Sequence, residues 1–291
     1  MRQHNDSDSK KRPRIPLWLR IPFSLAFIVV LVAGFLFFIQ HSMIYYPRAY
    51  SAEYDGIIGS NVHELNYEII GSGKQTAFYF SPKENAGIPS HIWVMFSGNA
   101  SVALDWLYLL ERPGFRDHGF LLVDYPGYGK SEGKAGMVNT RASAEKALEK
   151  LGEHLQVKQS DMEPRLNAAG QSLGAAAALD FAARHQVGRV LLIAPFTSMR
   201  DIAATVVGRP FSYLVVENYD NRERLQELSQ RTLPPRVAIF HGVRDEVIPF
   251  RMGQELAGAH PTMIVFRPIE RAGHNDIVGI ADEEIIRWMN E

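Results

Sequence analysis

The stretch Arg165-Leu-Asn-Ala-Ala-Gly-Gln-Ser-Leu-Gly174 decides the fold of this chain. It places Gly170-x-Ser172-x-Gly174 between a short apolar segment and the run from Ala175 to Ala183, which is rich in helix-forming alanine. Small residues around Ser172 allow a strand to turn sharply into a helix, with the hydroxyl outward on a strained turn. Chance supplies the five-residue pattern in roughly one chain in ten of this length, as a glycine-rich turn with an incidental serine, so its context has to decide.

Length and composition set the limits of the interpretation. The chain has 291 residues, 46% of them hydrophobic and 22% charged, which is enough for a full core in one large domain or two small ones. A net charge of −1 provides no global field for nucleic acid, so no nucleic-acid partner is expected. The absence of cysteine excludes disulfides, thiolate zinc sites and a cysteine nucleophile. No metal-ligand spacing occurs in the sequence, and we expect neither a metal nor a cofactor.

The N-terminal region has the pattern of a membrane anchor. Residues 1–20 form a basic tail, and residues 21–39 carry no charge. Nineteen helical residues span ~28 Å, about the thickness of the hydrocarbon core of a bilayer. A cleaved signal peptide would have a shorter apolar region and a small-x-small cleavage site, and a buried core helix would not be so apolar all round. We therefore predict an uncleaved anchor over residues 21–40.

Basic residues predict the orientation of this anchor. Six Lys or Arg residues precede the span, and Arg48 alone follows it before Lys74. The positive-inside rule then places the N-terminus in the cytoplasm and the main domain on the extracytoplasmic side, which is the periplasm in a bacterium. Tyr45 and Tyr46 are expected in the aromatic belt at the membrane interface.

Residues 41–291 are predicted to form an α/β domain, because apolar strand-like runs alternate with helix-like runs. An antiparallel hairpin around Gly71-Ser-Gly73 opens the sheet, and an insertion over 200–235 is expected to form a cap. The predicted strands are Val62–Ile70, Gln75–Phe80, His91–Phe96, Gly119–Asp124, Leu166–Ala169, Arg189–Ala194, Arg236–Phe240 and Met263–Pro268. The predicted helices are Val102–Glu111, Thr140–His154, Leu173–His185, Phe250–Ala257 and Asn275–Asn290.

Three side chains that follow predicted strands can carry chemistry together. Ser172, Asp245 and His274 each lie in the loop after a strand, and parallel strands gather their carboxyl ends at one edge of a sheet. A serine hydroxyl needs a base to remove its proton, and the base needs an acid to fix its tautomer. The order Ser, Asp, His is the order of the α/β-hydrolase fold. The sequence therefore predicts a catalytic triad on that fold.

Other residues compete for two of these roles. His241 is the main rival for the base, although an imidazole directly before Gly242 more often braces a turn. Asp201 is the runner-up for the acid. Asp276 lies only two residues from His274 and is expected to cap the final helix.

The backbone amides of Leu173 and Asn99 are the predicted oxyanion hole. Leu173 follows the nucleophile at a helix N-terminus, and Asn99 lies in the loop after the first parallel strand. The alternative for that loop is an ordinary turn with Asn99 or Ser101 as a helix cap. The segment Gly127-Tyr-Gly-Lys-Ser131 resembles the end of a phosphate-binding loop but lacks the first glycine, so we interpret it as a structural loop beside the site.

Together these motifs resemble the membrane-anchored α/β-hydrolase-domain serine hydrolases, a group that includes lysophospholipid lipases and protein depalmitoylases. The resemblance spans roughly residues 43–285. It is carried by Met43-Ile-Tyr-Tyr-Pro47, Ser97-Gly-Asn-Ala100, Asp124-Tyr-Pro-Gly-Tyr-Gly-Lys-Ser-Glu-Gly133, Gly170-Gln-Ser-Leu-Gly174, Pro195-Phe-Thr-Ser198, His241-Gly-x-x-Asp245 and Gly273-His-Asn-Asp276. It implies the same nucleophile, acid, base and oxyanion donors. Ser97 departs from the histidine that is usual in the family, so we expect the oxyanion loop to lack its brace.

The sequence thus predicts a serine hydrolase of acyl esters or thioesters that acts on a small-molecule or lipid acyl substrate. Two alternatives stay open: a non-catalytic hydrolase-like binding domain, and a serine peptidase on the same fold. The membrane is the one partner that the sequence indicates, through residues 21–40, and no feature fixes an oligomeric state.

Overall fold

The computed structural model describes residues 17–54, 56–58, 61–81, 87–115 and 117–291, with side chains from residue 21 onward. Most of the predicted basic tail lies outside this part of the chain. The strands of the described residues form one eight-stranded sheet in the order β1-β2-β4-β3-β5-β6-β7-β8. They are β1 (Val62–Ile69), β2 (Gly73–Phe80), β3 (His91–Phe96), β4 (His118–Val123), β5 (Leu166–Gln171), β6 (Arg189–Ile193), β7 (Arg236–Gly242) and β8 (Ile264–Ile269).

The sheet confirms the predicted fold class. Strands β1 and β2 form an antiparallel hairpin with Ile69 opposite Gly73, and β2 also pairs antiparallel with β4. All later neighbours, from β4 and β3 to β7 and β8, pair in parallel. The predicted hairpin at one edge of a mostly parallel sheet is therefore correct.

Helices pack against both faces of this sheet. The described residues contain eleven α-helices. They are α1 (Leu17–Ile44), α2 (Leu107–Leu110), α3 (Met137–Leu155), α4 (Gln159–Met162), α5 (Leu173–Ala182), α6 (Met199–Val207), α7 (Arg209–Ser212), α8 (Asn221–Ser229), α9 (Phe250–Ala259), α10 (Ile277–Ile280) and α11 (Asp282–Asn290). The predicted helix at Val102–Glu111 is a 3-10 turn over Ala103–Trp106 that leads into α2.

The predicted final helix is divided into α10 and α11 at Ala281. Gly279 weakens the first part, since glycine is a poor helix former. Asp282 then begins a new helix whose first turn also contains Glu283 and Glu284, and acidic side chains at that end interact favourably with the helix dipole.

Alternate residues of the central strands fill two separate cores. Val94 and Phe96 of β3 pack under the helices of one face, while Trp93 and Met95 pack under those of the other. All four side chains are at most 1% exposed. Because a strand buried on both faces must be apolar throughout, the continuous apolar runs of the sequence predicted these strands well.

Helix α1 is long and apolar enough to cross a membrane. Its segment Ile21–Ile44 contains a stretch of mean hydropathy 2.7 in which no residue is buried. Exposure of these side chains is the opposite of what a core helix shows. The helix continues four residues beyond the predicted boundary at residue 40, and its last turn contacts the domain through a bond between His41 Nε2 and the Ala135 carbonyl at 2.8 Å.

The predicted cap segment, 200–235, contains parts with different surroundings. Helices α6 and α7 lie against the end of α1. Helix α8 packs into the main core instead, because Leu225 and Leu228 are fully buried there. We refer to α6 and α7 together as the cap helices.

Candidate active site

Ser172 occupies a strained turn between β5 and α5. Its φ of 56° and ψ of −117° lie outside the regions that L-residues favour, at a cost of about 1–3 kcal/mol. A Cβ added to Gly170 would lie 2.0 Å from the Gly174 carbonyl oxygen, and one added to Gly174 would lie 2.1 Å from the Phe96 carbonyl oxygen. The backbone can make this turn only because both positions are glycine.

The structure brings the three predicted site residues together. His274 Nε2 lies 3.1 Å from Ser172 Oγ, and His274 Nδ1 lies 2.8 Å from Asp245 Oδ2. The side chains come from the loops that follow β5, β7 and β8. His274 is only 6% exposed, so bulk water does not compete for its two contacts. The arrangement can pass a proton from the hydroxyl to the imidazole.

Asp245 is fixed as an ionised hydrogen-bond acceptor. Its Oδ1 accepts the amides of Val247 at 2.9 Å and Ile248 at 2.7 Å, and its side chain is fully buried. Burial raises the pKa of this carboxyl, but hydrogen bonds from His241, His274 and the Ile248 amide outweigh burial and hold the pKa well below its usual range. Asp245 is therefore a carboxylate that orients the His274 ring by accepting a hydrogen bond from Nδ1.

His241 braces the loop that carries the acid. Its Nε2 lies 3.0 Å from the Ile248 carbonyl oxygen and 3.4 Å from Asp245 Oδ2, and its side chain is completely buried. The other ring nitrogen is packed so closely against Gly253 that a Cβ there would lie 2.4 Å away. This is the bracing role that its position before Gly242 predicted.

The two other acidic candidates do not contact His274 among the described residues. Asp201 Oδ2 accepts from the hydroxyls of Thr197 at 2.8 Å and Ser198 at 2.7 Å, and it pairs with Arg222. Asp276 stands before α10, but its side chain makes no capping hydrogen bond there. The expectation that Asp276 caps the final helix is therefore wrong, because the chain enters α10 with Asp276 at φ −106° and ψ 0° rather than in extended backbone.

The two predicted oxyanion donors line the same pocket as Ser172 and His274, a cavity of about 390 Å³. The amides of Leu173 and Asn99 donate to no acceptor among the described residues. A Cβ on Gly98 would lie 3.8 Å from Ser172 Cβ, so the loop passes close to the nucleophile. Neither Asn99 nor Ser101 caps the following 3-10 turn, which Val102 precedes.

The loop around Ser97 is braced by residues that the sequence did not indicate. Ser97 Oγ donates to the Val102 carbonyl at 2.9 Å, and the Tyr125 hydroxyl donates to the Ser97 carbonyl at 2.6 Å. The Tyr128 hydroxyl donates to Asn99 Oδ1 at 2.7 Å. The expected loss of rigidity at Ser97 is thus offset by two tyrosines of the 124–133 loop.

The end of α1 contributes to the site, and sequence reasoning missed this. Asn99 accepts the Tyr46 amide at 2.9 Å and donates to the Ile44 carbonyl at 2.7 Å. Tyr45, expected at the membrane interface, is only 3% exposed, and its hydroxyl donates to Glu217 at 3.0 Å. One signal in the sequence could have indicated this contact. Met43-Ile-Tyr-Tyr-Pro47 is part of the family pattern, although it precedes the first predicted strand of the domain.

The resemblance of 127–131 to a phosphate-binding loop has a structural explanation. Ser131 Oγ accepts the Thr76 amide at 3.0 Å, and Lys130 pairs with Glu64 of β1.

In the part of the chain that the structure describes, no group of three or more His, Cys, Asp or Glu residues is arranged to hold a metal ion.

Known proteins are similar to this chain in sequence. An uncharacterised protein of Mycobacterium tuberculosis is 28% identical over 262 residues, which cover 87% of this chain and 87% of that protein. Human alpha/beta hydrolase domain-containing protein 17B is 32% identical over 154 residues, which cover 53% of this chain and 49% of that protein.

Solved structures share the fold. The esterase domain of a Rhodothermus marinus protein superposes with a TM-score of 0.57 at 17% identity, covering 78% of this chain and 97% of that one. Fluorophosphonate-binding serine hydrolase F of Staphylococcus aureus gives a TM-score of 0.58 at 12% identity, covering 79% and 96%. The sequence pattern of the alpha/beta hydrolase family matches residues 93–284, from β3 into α11. Since this match spans most of the chain, the protein belongs to the alpha/beta hydrolase family.

Proposed function

We propose that this chain is a membrane-anchored serine hydrolase that cleaves acyl esters or thioesters. The observation that carries the proposal is the continuous chain of contacts from Ser172 Oγ through the His274 ring to Asp245. Asp245 accepts a hydrogen bond from Nδ1–H, which leaves the lone pair of Nε2 free to accept the proton of the serine hydroxyl. The hydroxyl oxygen faces a pocket that is large enough for a small substrate.

In the first half of the reaction, Ser172 Oγ attacks the acyl carbonyl carbon as its proton moves to His274 Nε2. The negative oxygen that results accepts hydrogen bonds from the amides of Leu173 and Asn99, and one such donor contributes about 10²–10³ in kcat. The tetrahedral intermediate collapses when the bond to the leaving oxygen or sulfur breaks. His274 gives that leaving atom its proton.

In the second half, water hydrolyses the acyl-enzyme. His274 removes a proton from water as the water oxygen attacks the acyl carbonyl, and then returns the proton to Ser172 Oγ. The free acid leaves, and Asp245 keeps the imidazole in one orientation throughout. Each of these steps is supplied by the named side chains, two backbone amides and water.

The experiment is labelling of the full chain in detergent with a fluorophosphonate probe. We expect labelling of the unmodified chain and loss of labelling in Ser172→Ala. Ser101→Ala is the matched control, because Ser101 lines the same pocket, and it should keep its label. Folded protein without Ser172-dependent labelling would favour a non-catalytic binding domain. A panel of p-nitrophenyl esters, acyl thioesters, lysophospholipids and peptides then separates the substrate classes.

The orientation in the membrane is a separate part of the proposal. Helix α1 is long enough to span, and the basic residues before it favour a cytoplasmic N-terminus with the hydrolase domain on the other side. An alkaline phosphatase fusion after Glu291 tests this, since that enzyme folds into its active form only outside the cytoplasm. A fusion that is expressed but inactive would show that the orientation is the reverse of the proposed one.

A further inference from the structure

An apolar groove runs between the end of α1 and the cap helices. Its volume is about 100 Å³, and every lining side chain except Gln40 is apolar. The polar atoms of Gln40 are already paired, because its Oε1 accepts the Val216 amide at 2.8 Å and its Nε2 donates to the Phe37 carbonyl at 2.9 Å. The groove therefore offers apolar surface without a free hydrogen-bonding group.

This groove adjoins the pocket at Ser172. Four side chains line both cavities: Met43, Ile44, Met199 and Ile202. A substrate whose carbonyl lies at Ser172 can therefore extend an unbranched apolar chain past these residues toward α1. Such a chain would be covered by Ala203 and Phe211 on the side of the cap.

The C-terminal end of α1 forms part of the groove. One of its walls is the last turns of α1, from Leu36 to Ile44. The cap helices and the segment after them also expose apolar side chains: Val206 is 68%, Tyr213 68% and Val216 65% exposed. Exposed apolar groups beside a spanning helix are typical of a surface that contacts lipid.

The opposite side of the Ser172 pocket has a different character. A second cavity of about 590 Å³ begins there and shares Gly98 and Gln171 with the Ser172 pocket. Its lining includes the carboxylates of Asp105 and Asp276. The pocket of the nucleophile thus shares lining residues with an apolar groove beside α1 and, through a different set of residues, with a larger and more polar cavity.

We propose that the groove between α1 and the cap helices holds the acyl chain of a membrane amphiphile, with its polar part in the second cavity. The spanning helix is then one wall of the substrate site, and the substrate enters sideways from the bilayer. This inference rests on the proposed function, because the acyl carbonyl is attacked by Ser172.

The test compares p-nitrophenyl butyrate with p-nitrophenyl decanoate, using the full chain in lipid nanodiscs. Ala203 lines the groove but not the Ser172 pocket. Ala203→Phe should lower the ratio of kcat/KM for decanoate over butyrate by at least about tenfold, which corresponds to excluding about two methylene groups. Thr205→Phe adds the same ring to an exposed position of α6 outside both cavities and should leave the ratio unchanged.

The outcomes separate the two proposals. One outcome is Ser172-dependent turnover of butyrate together with an unchanged decanoate-to-butyrate ratio of kcat/KM in folded Ala203→Phe. This outcome overturns the proposal for the groove and leaves the proposed hydrolase activity standing. Absence of Ser172-dependent turnover with either ester overturns both.

A second measurement locates the acyl chain in the unmodified chain, so it does not depend on whether a variant folds. A long-chain alkyl fluorophosphonate that carries a terminal diazirine is reacted with the unmodified chain and then irradiated. Crosslinks mapped to residues 36–44 or 202–215 support the groove. Crosslinks at Tyr108 or at 278–280, which line the second cavity, overturn it.

Discussion

The side-chain amide of Asn99 donates a hydrogen bond to the carbonyl oxygen of Ile44 at 2.7 Å. Ile44 is the last residue of α1, and Asn99 is one of the residues that line the Ser172 pocket. Its side-chain oxygen also accepts the Tyr46 amide at 2.9 Å. One side chain therefore joins the end of the apolar helix to the loop beside the nucleophile.

This relationship predicts the effect of Asn99→Ala. The backbone donor remains, but the loop loses its attachment to Ile44 and Tyr46, and misplacement of the donor should lower kcat by about 10- to 100-fold. Steady-state kinetics with a butyrate ester measures the effect. Tyr128→Phe removes one hydroxyl from Asn99 and keeps the attachment, so its kcat should fall much less. An unchanged kcat in Asn99→Ala would show that the attachment does not position the loop.

The acid of the proposed triad can be tested against its rival. Asp245→Asn should lower kcat by about 10⁴, because an amide can no longer hold His274 in the reactive tautomer. Asp201→Asn, which changes an acid paired with Ser198 and Arg222, should stay within about threefold of the unmodified chain. Both variants are compared by kcat/KM after active-site titration. Equal losses in the two variants would remove Asp245 from the triad.

The close packing at Gly174, in the turn that carries Ser172, predicts that an added methyl group there lowers the free energy of unfolding. Gly174→Ala would place a methyl group 2.1 Å from the Phe96 carbonyl oxygen, where only backbone could move, so we expect a loss of about 3 kcal/mol in the free energy of unfolding. Gly258→Ala is the control, because nothing lies within 4 Å of its added Cβ in α9. It should gain about 0.5–1 kcal/mol at most. Thermal denaturation in detergent measures both, and similar melting temperatures would contradict the close approach at Gly174.

Asp124 predicts a pH dependence of stability. Burial raises the pKa of its carboxyl to about 7, although hydrogen bonds from the Ala103 amide and the Tyr50 hydroxyl act in the opposite direction. As the pH rises from about 4 to about 7, the unfolded chain loses this proton and the folded chain keeps it. The free energy of unfolding should then fall by up to about 1.4 kcal/mol per pH unit from this group.

Asp124→Asn removes the titration. The variant should be less stable at acidic pH, because the amide cannot reproduce every contact of the carboxyl. Between about pH 5 and about pH 8 it should lose less stability than the unmodified chain. If the melting temperatures of the variant and of the unmodified chain changed equally with pH across this range, a raised pKa at Asp124 would be ruled out.

Much of the fold could be predicted because its signals are local. The apolar runs of the central strands follow from burial on both faces of the sheet, and the hairpin follows from Gly71 and Gly73. Ser172, Asp245 and His274 could be grouped because parallel strands bring their following loops to one edge. The geometry between them depends on the sheet register, which the sequence alone does not contain.

The remaining features depend on contacts between distant parts of the chain. Tyr45 resembles an interfacial residue in sequence, but Glu217 binds it inside the domain. The insertion over 200–235 was predicted as a single cap because it is uninterrupted in sequence. In the structure, α8 packs in the core through Leu225 and Leu228. The support of the Ser97 loop by Tyr125 involves partners 28 positions apart and no recognisable spacing.

The attachment of Asn99 also determines where the chain can be shortened. A fragment that begins at Pro47 would keep every strand of the sheet and all three proposed triad residues, but it would remove the main-chain groups of Ile44 and Tyr46 that bind the Asn99 side chain. Such a fragment would lose the apolar helix together with part of the support for the proposed oxyanion loop. A fragment that keeps both bonds therefore begins no later than Ile44, inside what a hydropathy plot would assign to the membrane.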